Sequence, residues 1–186
     1  MTDLRYPIGE FEWLQPASDE ETAKAREGYV EVLARTPLQM RNAVQGLNAQ
    51  QLDTPYRPEG WTVRQVVHHV PDSHMNSYIR FKLALTEDQP QIKTYNEADW
   101  AQLPDSRVTP IEVSLQLLAA LHSRWVDLLR NMRPSDFERT LYHPERGVLT
   151  LDQLLALYAW HCAHHLAHIT SLRERMGWNH RAAAQP

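Results

Sequence analysis

Apolar residues recur every three or four positions along four long stretches of the chain, which is the spacing of amphipathic helices. The predicted helices cover residues 18–47, 62–85, 109–132 and 150–177. Pro37 is expected to kink the first helix, and Gly177 is expected to end the fourth. Residue pairs typical of helix starts stand at the four beginnings: Ser18 with Glu21, Thr62 with Gln65, Thr109 with Pro110, and Thr150 with Gln153.

The connections between these helices differ in length. Residues 87–108 have no clear period and are long enough to cross the length of a bundle. Residues 134–149 are irregular, with a turn at 144–147 that suggests a short hairpin. Strand patterns are otherwise nearly absent. The sequence therefore predicts an all-α fold, a four-helix bundle with a long crossover connection between the second and third helices, in a single domain over residues 1–186 with a loose tail from Arg181.

The composition excludes several classes of partner. A chain of 186 residues with 42% hydrophobic and 23% charged residues fits one domain with a full core. The net charge of −4 gives no electrostatic reason to expect nucleic acid or an anionic membrane. We find neither an apolar run near the roughly 18 residues of a membrane span nor a signal peptide, so we expect a cytoplasmic protein. With one cysteine, Cys162, any metal ligands must be His, Asp or Glu.

Four of the ten histidines fall between His161 and His168, in the fourth predicted helix. Histidines four residues apart on a helix lie on one face and can reach one metal ion. On a helical projection His165 lies within roughly 20° of the apolar centre, His161 about 60° away and His164 about 120° away. We therefore favour the pair His161 and His165. The rival pair, His164 and His168, has the same spacing but needs its flank covered by another helix.

A third ligand is expected from the second predicted helix, where the pattern leaves the choice open. His74 lies in the middle of the apolar stripe, whereas His69 lies about 140° away on a polar face. Pro71 between them can rotate the register of the helix. Without a metal role, His74 is expected to be a hydrogen-bonded core residue and His68 a solvent-facing one.

Several segments resemble the YfiT-like metal-dependent hydrolases of the DinB superfamily, and the likeness spans nearly the whole chain. The specific parts are GWTVRQVVHH at residues 60–69 and HxxHH at residues 161–165, with further similarity at residues 6–10, 51–57 and 72–78. The resemblance implies a four-helix bundle, usually a homodimer, with one divalent ion held by three histidines. The HxxD motif places the first ligand at His69, and HxxHH places the others at His161 and His165. Pro71 departs from the family pattern, which more often has alanine there.

The resemblance implies two enzymatic functions, and a purely structural metal is the third possibility. Three neutral imidazoles leave the ion its double charge and an open position, where the pKa of water falls toward neutrality. The first function is therefore metal-dependent hydrolysis of a small substrate. The second is transfer of a small thiol cosubstrate to an electrophile, as in bacillithiol-transferase-like DinB proteins. Zinc is the expected ion, and nickel also suits three imidazoles.

Other side chains are candidates for supporting roles. Asp72 is placed to orient His69, although it can equally be a surface acid. Arg64 and Arg80 are candidates for binding a carboxylate on a thiol. Cys162 is interpreted as a small core residue, not a nucleophile. Three aromatic residues in the connections are expected to close over a substrate or to cap the bundle: Tyr95, Trp100 and Tyr142.

Overall fold

Four long helices build the fold. The computed structural model describes residues 3–13 and 17–178. The long helices are α1 (Asp19–Val44), α3 (Val63–Thr86), α6 (Ile111–Arg130) and α8 (Leu151–Arg175). The short elements are α2 (Ala49–Leu52), α4 (Glu97–Trp100), α5 (Pro104–Val108), α7 (Pro134–Phe137), β1 (Thr140–His143) and β2 (Gly147–Thr150). The predicted all-α four-helix bundle is confirmed.

The order of the helices around the bundle brings α3 and α8 together. Helix α1 packs against α6 and α8, and α3 packs against the same two helices. Helices α1 and α3 are therefore diagonal partners, although they follow one another in the sequence with only α2 between them. The histidine-rich parts of α3 and α8 consequently face each other across a helix–helix interface.

The starts of the two histidine-bearing helices follow the predicted capping boxes. Thr62 Oγ1 accepts a hydrogen bond from Gln65 N at 3.2 Å, and Gln65 Oε1 accepts one from Thr62 N at 2.9 Å. Thr150 and Gln153 repeat this arrangement at the start of α8. The predicted start at Thr109 is wrong, because Thr109 is the C-cap that follows α5, and Pro110 is the N-cap of α6, with no side-chain cap.

Two apolar clusters fill the interior of the bundle. Trp125 and Phe81 belong to one, and Met40 and Val66 belong to the other; all four are fully buried. Each such side chain contributes roughly 1.5–3 kcal/mol by leaving water. These clusters fix the distance between the helices, and they therefore fix where the polar side chains meet.

The long crossover after α3 contains short elements that the sequence pattern did not predict. Helices α4 and α5 lie within it, and α5 packs against α3. The predicted hairpin is confirmed as the antiparallel pair β1 and β2, and its turn closes at Gly147 with φ of 75°. Residues 179–186, which include the predicted loose tail, lie outside the described residues. No helix in the described ranges is long and apolar enough to cross a membrane.

Candidate metal centre

Three histidine rings from two helices converge on one point. His69 comes from α3, and His161 and His165 lie one turn apart on α8. One ring nitrogen from each lies within 4.8 Å of the other two. The Nε2 atoms of His69 and His161 are 3.3 Å apart. The structure thus brings together the three histidines that the family resemblance selects.

The separation of these nitrogens fits a shared metal ion. Two imidazole ligands at about 2.0–2.1 Å from a tetrahedral zinc ion have nitrogens about 3.3 Å apart, which is the edge of that tetrahedron. The observed distance between Nε2 of His69 and Nε2 of His161 is 3.3 Å. Three imidazoles with a fourth side open are also the donor set of catalytic zinc sites. The residues present therefore fit one divalent cation.

Burial keeps these rings in the neutral form that binds metals. Burial, reinforced by His164 and His168, lowers the pKa of His69 to about 3. Burial and the neighbouring imidazoles also hold the pKa values of His161 and His165 well below the usual value. All three rings are therefore neutral at neutral pH, each with one N–H and one free ring nitrogen, so no proton has to be removed before a cation binds.

Further histidines lie behind one of these rings, that of His161. Nε2 of His74 lies 3.0 Å from Nδ1 of His161, and Nδ1 of His74 lies 2.6 Å from Nε2 of His122. Nδ1 of His122 lies 2.6 Å from the carbonyl oxygen of Leu33. The predicted core role of His74 is confirmed: it is completely buried and hydrogen-bonded. Its partner His122, on α6, was not identified from the sequence.

The rival histidines form a second group that shares one residue with the first. His164 and His168 each place a ring nitrogen within 4.8 Å of a nitrogen of His165. We expected another helix to cover the side of α8 that bears His164 and His168, but the N-terminal segment covers it instead. The ring centres of Tyr6 and His164 are 5.9 Å apart, and the ring of Trp160 stacks on that of His164. All three residues of this group lie on α8, whereas the His69 group joins α3 to α8. A cation in the first group therefore cross-links two helices.

A cavity of about 650 Å³ opens over both histidine groups. The N-terminal segment, the loop after α2, helix α4 and the β1–β2 turn all contribute to its walls. Aromatic side chains line it near the histidines: Tyr6, Phe11, Trp13, Tyr56, Trp61, Tyr158 and Trp160. Charged side chains line it as well: Glu10, Arg57, Glu59, Arg80, Glu97, Glu145 and Arg146. A cavity of this size and mixed polarity suits a small polar molecule.

The remaining candidates from the sequence have different outcomes. The prediction of a solvent-facing His68 is wrong, because this ring is buried, with Nδ1 2.7 Å from Ser114 Oγ and Nε2 3.1 Å from Thr109 O. Asp72 has no hydrogen bond to His69; burial and the nearby Asp105 raise its pKa to about 6. His74, which lies behind His161, is placed to orient a ligating histidine, the role that we expected for Asp72.

The two candidate arginines have different environments. Arg64 is paired with Asp53, with Nε and Oδ1 2.7 Å apart, and does not line the cavity. Arg80 does line the cavity, is only 7% exposed, and donates one hydrogen bond, to Lys93 O at 3.1 Å. Among the described residues no carboxylate pairs with Arg80. Its remaining N–H donors are therefore available to an anionic group in the cavity.

The cysteine and the loop aromatics are not part of the cavity. Cys162 is 1% exposed, and burial raises the pKa of its thiol to about 12, which confirms a structural role. Tyr95 and Trp100 pack on each other with ring centres 4.3 Å apart, and Tyr142 is exposed on β1. None of these three aromatic residues lines the cavity, so the expectation that they close over a substrate is not met.

The sequence of this chain is similar to known proteins over most of its length. A model of the DinB superfamily matches residues 33–169, which include His69, His161 and His165. The chain belongs to the DinB superfamily. Two relatives of this DinB protein are each named "Putative metal-dependent hydrolase". The relative from Bacillus mycoides (strain KBAB4) is 54% identical to it, and the relative from Bacillus thuringiensis subsp. konkukian (strain 97-27) is 53% identical. Both alignments cover 178 residues, which is 96% of this chain and 100% of each relative.

A solved structure supports the same assignment at the level of the fold. YfiT from Bacillus subtilis is described as a probable metal-dependent hydrolase with an unusual four-helix bundle topology. It superimposes on this DinB protein with a TM-score of 0.88 and 50% sequence identity, over 95% of this chain and 99% of YfiT. The fold and the family predicted from the sequence are confirmed.

Proposed function

We propose that this DinB protein is a metal-dependent hydrolase that binds one divalent cation per chain, zinc or nickel, through His69, His161 and His165. The observation that carries the proposal is the 3.3 Å approach of Nε2 of His69 to Nε2 of His161 beside a cavity of about 650 Å³. A cation held there supplies a Lewis acid, which polarises the bond to be hydrolysed and makes water a better nucleophile.

The protein contributes neutral ligands and a set of acids. Because all three imidazoles are neutral, they leave the charge of the cation undiminished. Four carboxylates line the cavity, those of Glu10, Glu59, Glu97 and Glu145. Glu97 lies on the cavity wall, where partial loss of solvation and Glu145 raise its pKa, although Arg80 opposes the change; a raised pKa is the direction that suits a carboxyl group in proton transfer. Glu97 is therefore our candidate for general acid–base catalysis.

A substrate panel with and without metal tests this proposal. Zinc-loaded protein is offered chromogenic carboxyl esters, amides and phosphoesters, and release of the chromophore is followed. We expect cleavage of at least one class, its loss on chelation, its return on adding zinc, and its absence from His165→Ala. His68→Gln, which changes a buried histidine outside the site, serves as the matched control. Cleavage that survives both chelation and His165→Ala would contradict the proposal.

Metal-dependent thiol S-transfer is the second candidate, and Arg80 is the observation that favours it. Its buried guanidinium lines the cavity without a carboxylate within salt-bridge distance in the described ranges, and this suits the carboxylate of a small thiol. Incubation with a carboxylate-bearing thiol and a chloroarene distinguishes the two functions. A transferase forms the carbon–sulfur bond and releases chloride in a metal-dependent reaction that Arg80→Gln weakens. A hydrolase leaves both reagents unchanged.

We further propose that the protein forms a homodimer, as the family resemblance implies. Helices α1 and α6 are neighbours and expose the apolar side chains of Leu38, Val113 and Leu117. Exposed apolar residues on adjacent helices are typical of contact surfaces. Sedimentation at micromolar concentration is expected to give twice the 21.6 kDa mass of the chain.

A further inference from the structure

The rear nitrogen of His161 contacts a row of side chains that has no role in the proposed catalysis. The row runs from His161 to His74, then to His122, and ends at the backbone carbonyl of Leu33. Its three contacts measure 3.0, 2.6 and 2.6 Å, all within hydrogen-bond range. It connects α8, α3, α6 and α1 in one line through the interior.

The carbonyl at the end of the row fixes the direction of every hydrogen bond in it. A carbonyl oxygen can only accept, so Nδ1 of His122 carries a proton and donates it to Leu33 O. A neutral imidazole has one donor and one acceptor, so Nε2 of His122 accepts from Nδ1 of His74. By the same rule, Nε2 of His74 accepts from Nδ1 of His161. The remaining nitrogen, Nε2 of His161, has a free lone pair and faces His69.

The rings in this row are neutral because of where they lie. His74 is completely buried and His122 is 1% exposed, and within residues 3–13 and 17–178 no acid is hydrogen-bonded to either ring. A cationic His122 would donate to His74 and reverse both histidine–histidine bonds, whereas a cationic His74 would reverse only its bond to His161. The neutral state of both rings is therefore what gives the row its single direction.

A proline explains why the Leu33 carbonyl is available. In a regular helix this carbonyl would accept from the backbone N–H four residues later, and that residue is Pro37, which has no N–H. The carbonyl inside α1 therefore lacks its helical donor, and Nδ1 of His122 takes that place at 2.6 Å. The proline predicted to kink the first helix thus frees the acceptor at the end of the row.

We propose that the hydrogen-bonded row from Leu33 O through His122 and His74 locks His161 in the tautomer whose Nε2 is unprotonated and aimed at the cation. His74 and His122 are therefore positioning residues for the metal site. The row ends on an uncharged carbonyl rather than a carboxylate, so it orients the ligand without adding negative charge near the cation. This inference rests on the metal site of the proposed function.

His165 has a parallel arrangement with longer contacts. Nε2 of His168 lies 3.0 Å from the carbonyl oxygen of Arg5, so it carries the proton and donates to that carbonyl. Nδ1 of His168 is then an acceptor, 3.4 Å from Nδ1 of His165. The same rule leaves Nε2 of His165 unprotonated for the cation. Two of the three proposed ligands are thus oriented by chains that end on backbone carbonyls.

Nitrogen NMR of the metal-free protein tests the tautomer directly. In protein with ¹⁵N-labelled histidine, long-range ¹H–¹⁵N spectra at pH 7.5 are expected to place the proton of His161 on Nδ1, and those of His74 and His122 also on Nδ1. A proton on Nε2 of His161 would overturn the proposal. This measurement needs neither metal nor substrate, so its outcome does not depend on catalytic activity.

Zinc affinity of matched variants tests the consequence. His122→Phe removes the acceptor for His74 and is expected to weaken zinc binding about 10- to 100-fold. His122→Gln keeps an acceptor oxygen in the side chain and should restore most of the affinity, while His68→Gln should bind as the wild type does. Equal affinity in His122→Phe and the wild type would overturn the proposal. Should His122→Phe not fold, the NMR result on the wild type decides it alone.

These outcomes separate the inference from the proposed function. Zinc binding with the expected tautomers but without hydrolysis removes only the proposed activity. Zinc binding with a proton on Nε2 of His161 in the metal-free protein removes only the orienting row.

Discussion

The role of each histidine at this site depends on which of its two ring nitrogens is free to bind a cation. His69 presents Nε2 to His161, and His161 turns Nδ1 toward His74. The sequence pattern favoured His74 as the inward-facing residue, and the family resemblance favoured His69 as the ligand. The structure has a place for both, because His74 lies behind His161 while His69 lies in front of it.

Alanine substitutions of the histidines separate the two overlapping groups. His161→Ala and His165→Ala should each abolish stoichiometric zinc binding, because two ligands cannot replace three in an open site. His164→Ala should bind zinc like the wild type, although it belongs to the neighbouring group. Calorimetric titration of the three variants measures this. Loss of binding in His164→Ala with retention in His161→Ala would transfer the site to the rival histidines.

Asp72 provides a prediction about stability. Burial and Asp105 raise its pKa to about 6, so its charged form destabilises the folded protein at neutral pH. Asp72→Asn should therefore raise the Tm at pH 7.5, and the gain should shrink at pH 5, where the folded wild type already holds the proton. Asp127→Asn, at an exposed position on α6, is the control. A lower Tm for Asp72→Asn at pH 7.5 would contradict this explanation.

At the level of helices and strands, the sequence predicted the features that depend only on nearby residues, such as the starts of helices. The capping residues Thr62 and Thr150 place the starts of α3 and α8 correctly, because a cap acts within one turn. The start at Thr109 was wrong because this residue also follows a short helix, α5, which the pattern of the crossover does not reveal. The N-terminal segment was missed because it has no periodicity, and its contacts are with residues more than 140 positions away, on α8.

Removing the N-terminal segment should therefore affect the site. A chain that begins at Glu10 lacks the Arg5 carbonyl that accepts from His168, as well as the Tyr6 ring near His164. We expect a lower Tm and weaker zinc binding, because His165 loses its orienting partner. A chain that begins at Leu4 keeps both groups and serves as the control. Equal zinc affinity of the two shortened proteins, measured by competition with a chromogenic chelator, would show that the segment only covers the cavity.

At the scale of the whole molecule, residues far apart in sequence build the cavity. Periodicity identified the helices that carry His69, His161 and His165, and the resemblance selected these three residues. The crossing of α3 and α8, the row through His122 and the cavity walls depend on how the helices pack, which local patterns do not specify. His122 gave one sequence signal, as a polar residue on the apolar face of the third predicted helix.

The many buried neutral histidines make the metal-free protein sensitive to acid. The pKa is about 3 for His69 and about 4 for both His122 and His164, against 6.5 when unperturbed. Below pH 6.5 the histidines of the unfolded chain bind protons, whereas those buried in the folded protein do not. The free energy of unfolding therefore falls as the pH decreases. The loss is about 1.4 kcal/mol per pH unit for a deeply buried group such as His69 or His122, and it is smaller for His164, whose surroundings are partly screened by solvent. Protonation of two carboxyl groups whose pKa values are raised in the folded protein, Asp72 and Glu97, opposes this trend.

Urea unfolding of metal-free protein at pH 7.5, 6.5, 5.5 and 4.5 checks this expectation. The free energy of unfolding should change little between the two highest values and then fall steeply. A value that stays constant down to pH 4.5 would mean that the buried histidines are already protonated in the folded state.

Anomalous diffraction from crystals of the zinc-loaded protein would show directly which histidines bind the cation. We expect one peak at the zinc edge in each chain, about 2.0–2.1 Å from Nε2 of His69, His161 and His165. A peak among His164, His165 and His168, or the absence of any peak in this part of the molecule, would contradict it.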